Sequence, residues 1–266
     1  MQIKNDVQEI KASNPLFVGS IAKGMRVLES FNEGKLLLGI TDIVKLTGFE
    51  KNLVQRITNT FYEIGYLGKD TVQRKYFLTP KILHSCYGYL RSRRLFALAL
   101  PFLIELRDRL NKSVNLCVLN DMHLTYVLRL WTKYYHEYSL IGECIPAYCS
   151  AGGRILLSRL SEEEQEDIIN KSECVLFTRH TVTEKNELKK IVCSLKNKDF
   201  CWQVNQFIEN EISVAALIHD IDGTVATIIV SGLLKKVTDE TCQEFIDEVL
   251  PDLMQTVHTI NRYCGV

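Results

Sequence analysis

The hydrophobic positions of the first ninety residues recur at helical spacing, and glycines interrupt the pattern. Apolar residues three or four positions apart predict amphipathic helices, and a glycine after the last of them is a typical stop. Residues 1–14 read as a leader with no strong pattern. The predicted elements are a helix over Ser20–Asn32 stopped by Gly34, a short helix capped by Thr41 and ended by Gly48, and a helix from Glu50 to Ile64 closed by Gly65.

Two short apolar runs then flank a polar segment and predict a β-hairpin. The runs are Tyr66-Leu67 and Tyr76-Phe77-Leu78, and the polar turn between them spans Gly68 to Arg74. Arg74 and Lys75 make the second arm basic. Helix, short helix, glycine turn, helix and hairpin follow one another in the order of a winged helix-turn-helix, so the pattern predicts that fold here.

The longer helix of this segment carries polar residues opposite its apolar positions. Asn52, Gln55, Arg56 and Asn59 lie at i, i+3, i+4 and i+7, and they therefore share one face. Such side chains hydrogen-bond to base edges in the major groove, while the basic pair of the hairpin suits phosphates. A solvated surface would show the same polar face, but the order of the elements and their charge favour DNA binding.

The formal net charge of the 266-residue chain is zero, but the charge is unevenly distributed. Residues 1–95 hold 15 Lys and Arg against 8 Asp and Glu, a net of +7, and the remaining residues hold 17 against 24, a net of −7. A basic segment of this kind suits a polyanion, although such a net charge also arises by chance. Together with the helix-turn-helix pattern, it indicates double-stranded DNA as a partner.

The rest of the chain mixes strand-like and helix-like patterns. Residues 81–111 are helical in character, with Pro101 near a helix start. The predicted strands are Val114–Leu119, Leu124–Trp131, Ile212–His219 and Thr224–Val230, the last two joined by a hairpin turn over Asp220–Gly223. The predicted helices are Ala151–Arg159, one capped by Ser161 with Glu164, one from Thr183 to about Lys196, and one from Thr238 to about Tyr263. Antiparallel strands with interspersed helices predict an α+β protein, here with two domains.

Composition narrows the class of protein without identifying it. Hydrophobic residues make up 46% and charged residues 24% of the chain, with a mean hydropathy of −0.01, values typical of a soluble globular protein. No run of about 18 apolar residues predicts a membrane span, and the N-terminus lacks the apolar core of a secretory signal. Nine cysteines with no C-x-x-C pair are expected to be reduced, which predicts a cytoplasmic protein.

Four stretches of the chain are similar to those of one family of transcriptional regulators. Gly19–Leu28 looks like the opening of that family, and so does Ile40–Phe49 with the residues that follow it up to Leu67. Tyr76–Pro80 resembles the family's "Y-x-L-T" strand, and Pro146–Arg154 resembles its "P-x-x-x-S-A-x-G-K" effector loop. Their order and spacing from about residue 17 to residue 262 resemble the IclR-type transcriptional regulators.

This resemblance implies an architecture and a function. It implies a winged helix-turn-helix over residues 15–80, a linker helix over 81–94 and a GAF-like effector-binding domain over 95–266. The implied function is that of a DNA-binding transcriptional regulator whose operator affinity changes with a small-molecule effector, most simply a carboxylic acid. A homodimer or homotetramer on a palindromic operator is expected, with no cofactor and no membrane partner.

Seven residues are the predicted DNA contacts: Lys51, Asn52, Gln55, Arg56 and Asn59 on the recognition helix, and Arg74 and Lys75 on the hairpin. The family usually reads K-S-T-x-x-R at the start of this helix, whereas this chain reads K-N-L-V-Q-R. Leu53 thus replaces a hydroxyl that could bond a phosphate, and no polar DNA contact is assigned to it.

Eight residues are the predicted effector contacts: Ser150, Ala151, Gly152, Gly153, Asn205, Gln206, Ser213 and Ser231. The first four begin a predicted helix, where small residues leave backbone N–H groups open to a carboxylate. Without the family, a packed glycine turn is the preferred explanation of this segment. The resemblance supplies the other four, and it puts Asn205 and Gln206 where many relatives carry acidic residues and Asn210 where they carry glycine.

Motifs of catalysis and metal binding are missing from the sequence. The six histidines are widely spaced, and no H-E-x-x-H, G-x-S-x-G or G-x-x-x-x-G-K-[ST] occurs. We therefore expect no catalytic residue and no metal site. Two alternatives stay open: a small-molecule sensor or protein-interaction module without DNA binding, and a cysteine enzyme that uses Cys149.

Overall fold

A computed structural model of the chain describes residues 14–32, 36–132, 141–221, 223 and 225–266. The chain divides into two compact units, and the division falls between Tyr89 and Leu90. The predicted stop at Gly34 and part of the predicted turn over Asp220–Gly223 lie outside the described residues. Among the described residues, no helix is both long enough and apolar enough to cross a membrane.

The first unit is built from three helices and a hairpin around a small apolar core. Its elements are α1 (Gly19–Glu29), a 3₁₀ turn (Ser30–Asn32), α2 (Ile40–Thr47), α3 (Lys51–Glu63), β1 (Leu67–Asp70) and β2 (Lys75–Leu78). The buried core consists of Val27, Leu28, Phe31, Leu38, Ile43, Phe49, Val54, Leu67 and Tyr76. Each of these elements contributes to the core, so the core fixes α3 and the hairpin on one scaffold.

The turn between α2 and α3 follows the predicted chemistry, but the start of α2 does not. Gly48 ends α2 with a φ of +66°, a left-handed conformation that glycine adopts without strain. Thr41 lies inside α2 and is not its cap. The N-cap is Gly39, whose N–H donates to the Asp42 carboxylate at 3.0 Å. The prediction of Thr41 was wrong because the helix begins earlier, at Ile40, with Gly39 as its N-cap, and the Asp42 side chain closes the cap by accepting from the Gly39 N–H.

The hairpin has longer strands and a shorter turn than predicted. β1 and β2 pair antiparallel from Leu67 opposite Leu78 to Asp70 opposite Lys75, so Gly68 to Asp70 belong to a strand. The turn is reduced to residues 71–74, and the Asp70 carboxylate accepts from the backbone N–H groups of Val72 (2.9 Å) and Gln73 (2.8 Å). This aspartate holds the tip in a tight turn.

Two consecutive helices follow the hairpin. A 3₁₀ turn (Pro80–Ile82) leads into α4 (Leu83–Ser92), and after a break at Arg93 the chain continues as α5 (Arg94–Leu110). Pro101 lies in the middle of α5, so the prediction that it stands near a helix start was wrong. The helix starts instead after Arg93, which adopts an extended conformation.

The second unit is an antiparallel sheet with helices on both faces, and the predicted two-domain α+β class is confirmed. Six strands pair in the order β5-β4-β3-β8-β7-β6. They are β3 (Ser113–Asn120), β4 (His123–Leu130), β5 (Cys144–Pro146), β6 (Phe200–Val204), β7 (Glu211–His219) and β8 (Val225–Leu233). Neither β5 nor β6 is predicted from the pattern, since both are short and lack a clear alternation.

Besides α5, the described helices of the second unit are α6 (Ala151–Leu157), α7 (Glu162–Lys171), α8 (Lys185–Ser194) and α9 (Asp239–Cys264). Helices α5 and α9 pack on one face of the sheet, and α6 packs on the other. The capping box of Ser161 and Glu164 and the cap at Thr238 are confirmed. Helix α8 is capped by Glu184 and not by Thr183, because the Glu184 side chain accepts from the N–H of Asn186.

Candidate functional site

Helix α3 presents a continuous polar face to solvent. Its inner side is fixed by Val54 and Thr58, both fully buried. The Thr58 hydroxyl donates to the carbonyl of Val54 at 2.9 Å, which satisfies this polar group without a partner outside the helix. The five residues predicted to contact DNA from this helix are all exposed: Lys51, Asn52, Gln55, Arg56 and Asn59. The face is therefore free to enter a major groove, as the sequence predicts.

The hairpin beside α3 carries its two basic residues in different settings. Arg74 is exposed at the tip with a φ of +55°, whereas Lys75 is half-buried in β2. A third cation, Lys69, lies with its ammonium group 5.4 Å from the centre of the Tyr76 ring. Of the two predicted phosphate contacts, Arg74 is thus the more exposed.

Removing the charge at the tip is expected to weaken binding to every DNA sequence alike. Arg74→Gly suits this test, because glycine adopts a positive φ without strain and the turn is kept. Each lost phosphate contact should lower the slope of log affinity against log salt by about 1. Lys75→Ala should act in the same direction, and Arg179→Gly, an exposed arginine of the second unit, is the matched control. A changed sequence preference with an unchanged salt slope would count against phosphate contact.

The second unit contains a polar cavity between α6 and the sheet. Four of the eight predicted effector residues line it: Ser150, Ala151, Ser213 and Ser231. The other lining residues are Tyr126, Arg129, Ile145, Gln203, Phe207, Ile208, Glu211 and Ile229. Its volume is about 20 Å³, which matches roughly one water molecule. Ser213 and Ser231 face each other on adjacent strands, with their hydroxyl oxygens 2.9 Å apart.

The start of α6 is occupied by its own cap. The Ser150 hydroxyl accepts from the N–H of Gly153 at 3.0 Å, so this backbone group is satisfied within the chain. Gly152 and Gly153 do not line the cavity. A Cβ on Gly152 would lie 2.6 Å from Ile229 Cδ1, and one on Gly153 would lie 2.3 Å from the Ala147 carbonyl oxygen. Close packing accounts for both glycines, and a role in anion binding stays a prediction.

Asn205 and Gln206 also lie away from the cavity and hold a loop together. Asn205 (φ +58°) accepts with its side-chain oxygen from the N–H of Asn210 (φ +64°) at 2.6 Å. Left-handed backbone of this kind is tolerated by asparagine as well as by glycine. Gln206 accepts from Arg154 Nη2 at 2.6 Å and from the N–H of Val182 at 3.1 Å. Burial lowers the pKa of Arg154. Its partner Gln206 is a neutral amide, at a position where the family resemblance implies an acid in many relatives.

Sequence reasoning missed the most polar parts of the cavity lining. Arg129 is the one basic side chain among the described residues that line it, and its guanidinium carbon lies 4.0 Å from the centre of the Tyr126 ring. Glu211 adds a carboxylate and Gln203 an amide. Strict alternation within β4 would put Tyr126 and Arg129, which are three residues apart, on opposite faces of the strand. A register shift opposite Leu116 and Cys117 brings both to the cavity, and the sequence pattern does not reveal it.

The cysteine alternative receives no support from the surroundings of Cys149. This thiol is fully buried and lies 3.4 Å from the carbonyl oxygen of Pro146, to which it donates. Burial raises its pKa to about 12, against which the charge of Arg154 acts only in part. A thiol of this kind stays protonated near neutral pH and is a poor nucleophile.

The first unit is a helix-turn-helix with a basic hairpin, and the second unit contains a polar cavity. This combination is typical of a regulator that binds DNA and responds to a small molecule. Comparison with known proteins agrees. The model of the IclR helix-turn-helix domain matches residues 20–71, and that of the bacterial transcriptional regulator IclR C-terminal domain matches residues 87–260. The chain belongs to the IclR family, and it is a DNA-binding transcriptional regulator that responds to a small-molecule effector.

Individual relatives cover nearly the whole chain. It is 29% identical over 252 residues to the Pca regulon regulatory protein of Pseudomonas putida, covering 93% of this chain and 86% of that protein. It is 25% identical to the p-hydroxybenzoate hydroxylase transcriptional activator of Acinetobacter baylyi, covering 96% and 94%. An IclR homolog from Microbacterium hydrocarbonoxydans, solved in complex with 4-hydroxybenzoate, has the same fold, with a TM-score of 0.70 at 19% identity over 92% of this chain and 99% of that one.

Proposed function

We propose that this regulator binds a palindromic operator as a homodimer or homotetramer, and that a small aromatic acid bound in the second unit changes its affinity for that operator. The seven predicted DNA contacts and the domain limits of 15–80, 81–94 and 95–266 are part of this proposal. One observation carries it: Arg129 lies on a cavity whose remaining polar groups are hydroxyls, an amide and one carboxylate. The 4-hydroxybenzoate held by the Microbacterium relative supports an aromatic acid as the effector.

Arg129 is the proposed partner of the effector's carboxylate. A guanidinium group can form two parallel hydrogen bonds to a carboxylate, and the cation–π contact with Tyr126 stabilises the guanidinium of Arg129 at the cavity. Glu211 lines the same cavity, so the lining as a whole carries no excess positive charge. Recognition of an acid therefore depends on direct pairing with Arg129. Ser150 and Ala151, at the start of α6, line the same cavity.

The size of the cavity implies that binding is coupled to a change of shape. A volume of about 20 Å³ is far below the roughly 300 Å³ of an ordinary ligand pocket. An aromatic acid must therefore move the lining side chains apart, which shifts the packing of α6 on the sheet. A ligand that favours one arrangement in this way can change DNA affinity, typically by about 1–3 kcal/mol.

The first unit exposes apolar side chains that suit a partner copy. Leu16 is 86% exposed, Val18 before α1 is also exposed, and further large apolar residues are open on α1 and α4: Ile21, Met25, Leu83 and Tyr87. Exposed apolar groups on neighbouring positions of a helix are typical of an association surface. A dimer with two recognition helices would match the symmetry of a palindromic operator.

Arg129→Met is expected to leave operator binding intact and to remove the response to the acid. Methionine keeps most of the side-chain length but loses the charged hydrogen bonds, worth about 1.5–3 kcal/mol or roughly 10- to 100-fold in effector affinity. The measurement is retardation of DNA from beside its own coding sequence, with and without benzoate and its hydroxylated derivatives. Arg179→Met, which removes an exposed arginine of the same unit, is the control.

The same experiment tests the wider proposal. DNA cut to one half of the palindrome should bind far more weakly than the whole operator if two protomers bind together. A response of Arg129→Met equal to that of the wild type would contradict carboxylate binding at Arg129. A wild type that binds no DNA in a salt-dependent manner would contradict the assigned DNA contacts.

A further inference from the structure

A row of four buried polar side chains crosses the sheet beneath the cavity. Gln203 on β6 is paired with Ser213 on β7, Ser213 with Ser231 on β8, and Ser231 with Ser113 on β3. Directly opposite residues of antiparallel strands point to the same face, so the four side chains form one line. Each is more than nine-tenths buried, with exposed fractions between 1% and 8%. Gln203, Ser213 and Ser231 line the cavity itself.

The hydrogen bonds of Gln203 leave one acceptor unused. Its Nε2 donates to the backbone carbonyl of Cys149 at 2.6 Å, which fixes the amide so that Oε1 is the acceptor on its other side. Gln203 Oε1 is buried and has no hydrogen-bond partner among the residues that the structure describes. A buried carbonyl without a donor is costly, and such groups in native proteins generally have a reason.

The neighbouring serines supply the complementary group. The hydroxyls of Ser213 and Ser231 are joined by a single hydrogen bond, so the pair has two hydroxyl hydrogens and uses one of them between its members. The second hydrogen is available to a further acceptor. An acceptor at Gln203 beside a donor on the serine pair is the arrangement that binds a hydroxyl group, which both donates and accepts.

We propose that Gln203 Oε1 accepts a hydrogen bond from a hydroxyl of the effector, and that this residue makes the regulator select a hydroxylated acid over the same acid without the hydroxyl. The inference rests on the proposed effector function and deepens it. Arg129 on β4 and Gln203 on β6 line the same cavity, so one ligand that fills it can place its carboxylate at Arg129 and its hydroxyl at Gln203. The class of ligand is a small hydroxy acid.

The test compares affinities within matched pairs of acids. Calorimetry of the full chain measures binding of benzoate, 3- and 4-hydroxybenzoate, and 3- and 4-fluorobenzoate, because fluorine is close to hydroxyl in size and cannot donate. The wild type is expected to bind one hydroxybenzoate at least about tenfold more tightly than benzoate and its fluoro analogue, since a site built for a hydroxyl penalises an analogue that lacks it.

Two variants of Gln203 separate its acceptor from its structural role. Gln203→Met removes the acceptor at similar length, and it should bring the hydroxy and fluoro acids to within about threefold of each other. Gln203→Glu keeps an acceptor, and burial favours its protonated form, which can still donate to the Cys149 carbonyl. This variant should retain the hydroxyl preference. Thermal unfolding of both variants checks that they fold.

Each outcome decides the inference. A hydroxyl preference that survives in Gln203→Met overturns the inference. It is also overturned if the wild type binds benzoate and the hydroxybenzoates equally while these acids still change its affinity for DNA. In both cases the effector function stands. If no acid of the panel binds the wild type, the effector function fails and the inference fails with it. If Gln203→Met does not fold, the comparison of hydroxy with fluoro acids on the wild type decides, and equal affinities overturn the inference.

Discussion

Arg56→Ala is expected to abolish specific operator binding while the chain stays folded. Arg56 is exposed on the outer face of α3, opposite the buried Val54 and Thr58, so its side chain contributes little to the core. An arginine that bonds to both acceptors of a guanine discriminates against other bases by about 1–3 kcal/mol. In a symmetric dimer the substitution is made twice, so the loss of specific affinity is expected to be about 30-fold or more.

Arg56→Lys provides the matched comparison. Lysine keeps the charge but lacks the planar fork that bonds to two acceptors at once. It should therefore retain non-specific, salt-dependent binding and lose most of the preference for the operator. Both variants are measured by retardation of operator and scrambled DNA over a range of salt. If Arg56→Ala binds its operator like the wild type, α3 is not the recognition helix in the assigned register.

The first unit could be predicted from the sequence because local signals and the core agree. Gly48 follows the apolar positions of α2, and its left-handed backbone is the conformation that such a glycine predicts. The caps at Thr41 and Thr183 were misplaced by one or two residues, since more than one residue at each helix start suits the N-cap position. Which of them takes that position depends on the exact path of the preceding loop, which local pattern does not determine.

The cavity could be predicted only in part. Of the eight effector contacts predicted from the helix start and the family resemblance, Ser150, Ala151, Ser213 and Ser231 line the cavity, and the other four do not. Arg129 and Gln203 stand on strands β4 and β6, and their approach to the cavity is set by pairing across the sheet. The register shift between Leu116 and Cys117 on β3 leaves Val127 of β4 without a partner on β3, and this breaks the alternation within β4. Because such a shift changes which side chains face α6, the position of Arg129 could not be derived from periodicity.

The contacts of the glycines at the start of α6 distinguish two explanations of the Ser150–Gly153 motif, anion binding and close packing. As a motif, Ser150–Gly153 fits both an anion-binding helix start and a closely packed turn. The contacts favour packing for Gly152 and Gly153, whose Cα atoms leave no room for a side chain. A charged substitution such as Gly152→Asp would therefore disturb packing against Ile229 and Thr227 whether or not a ligand binds there. Substitution at Gly153 by the smallest side chain is the cleaner experiment.

Gly153→Ala is expected to lower the free energy of unfolding of the second unit by about 3 kcal/mol or more. The added methyl group would lie 2.3 Å from the carbonyl oxygen of Ala147, 2.4 Å from its Cα and 2.6 Å from the Ser150 hydroxyl. Two of these three atoms belong to the backbone and cannot move without displacing the 3₁₀ turn Ala147–Cys149, which is buried. The loss should therefore appear as destabilisation rather than as a local adjustment.

Gly88→Ala, in the first unit, is the control for a methyl group added without a clash, because a Cβ there would meet no atom within 4 Å among the described residues, and the unfolding of the second unit should stay unchanged. Gly88 lies inside α4, where alanine favours the helix by up to about 1 kcal/mol. Both tryptophans of the chain, Trp131 and Trp202, lie in the second unit, so their fluorescence during urea unfolding reports on that unit. If Gly153→Ala unfolds at the same urea concentration as the wild type and loses only its response to an acid, packing does not explain the glycine, and the start of α6 has to be considered again as an anion-binding site.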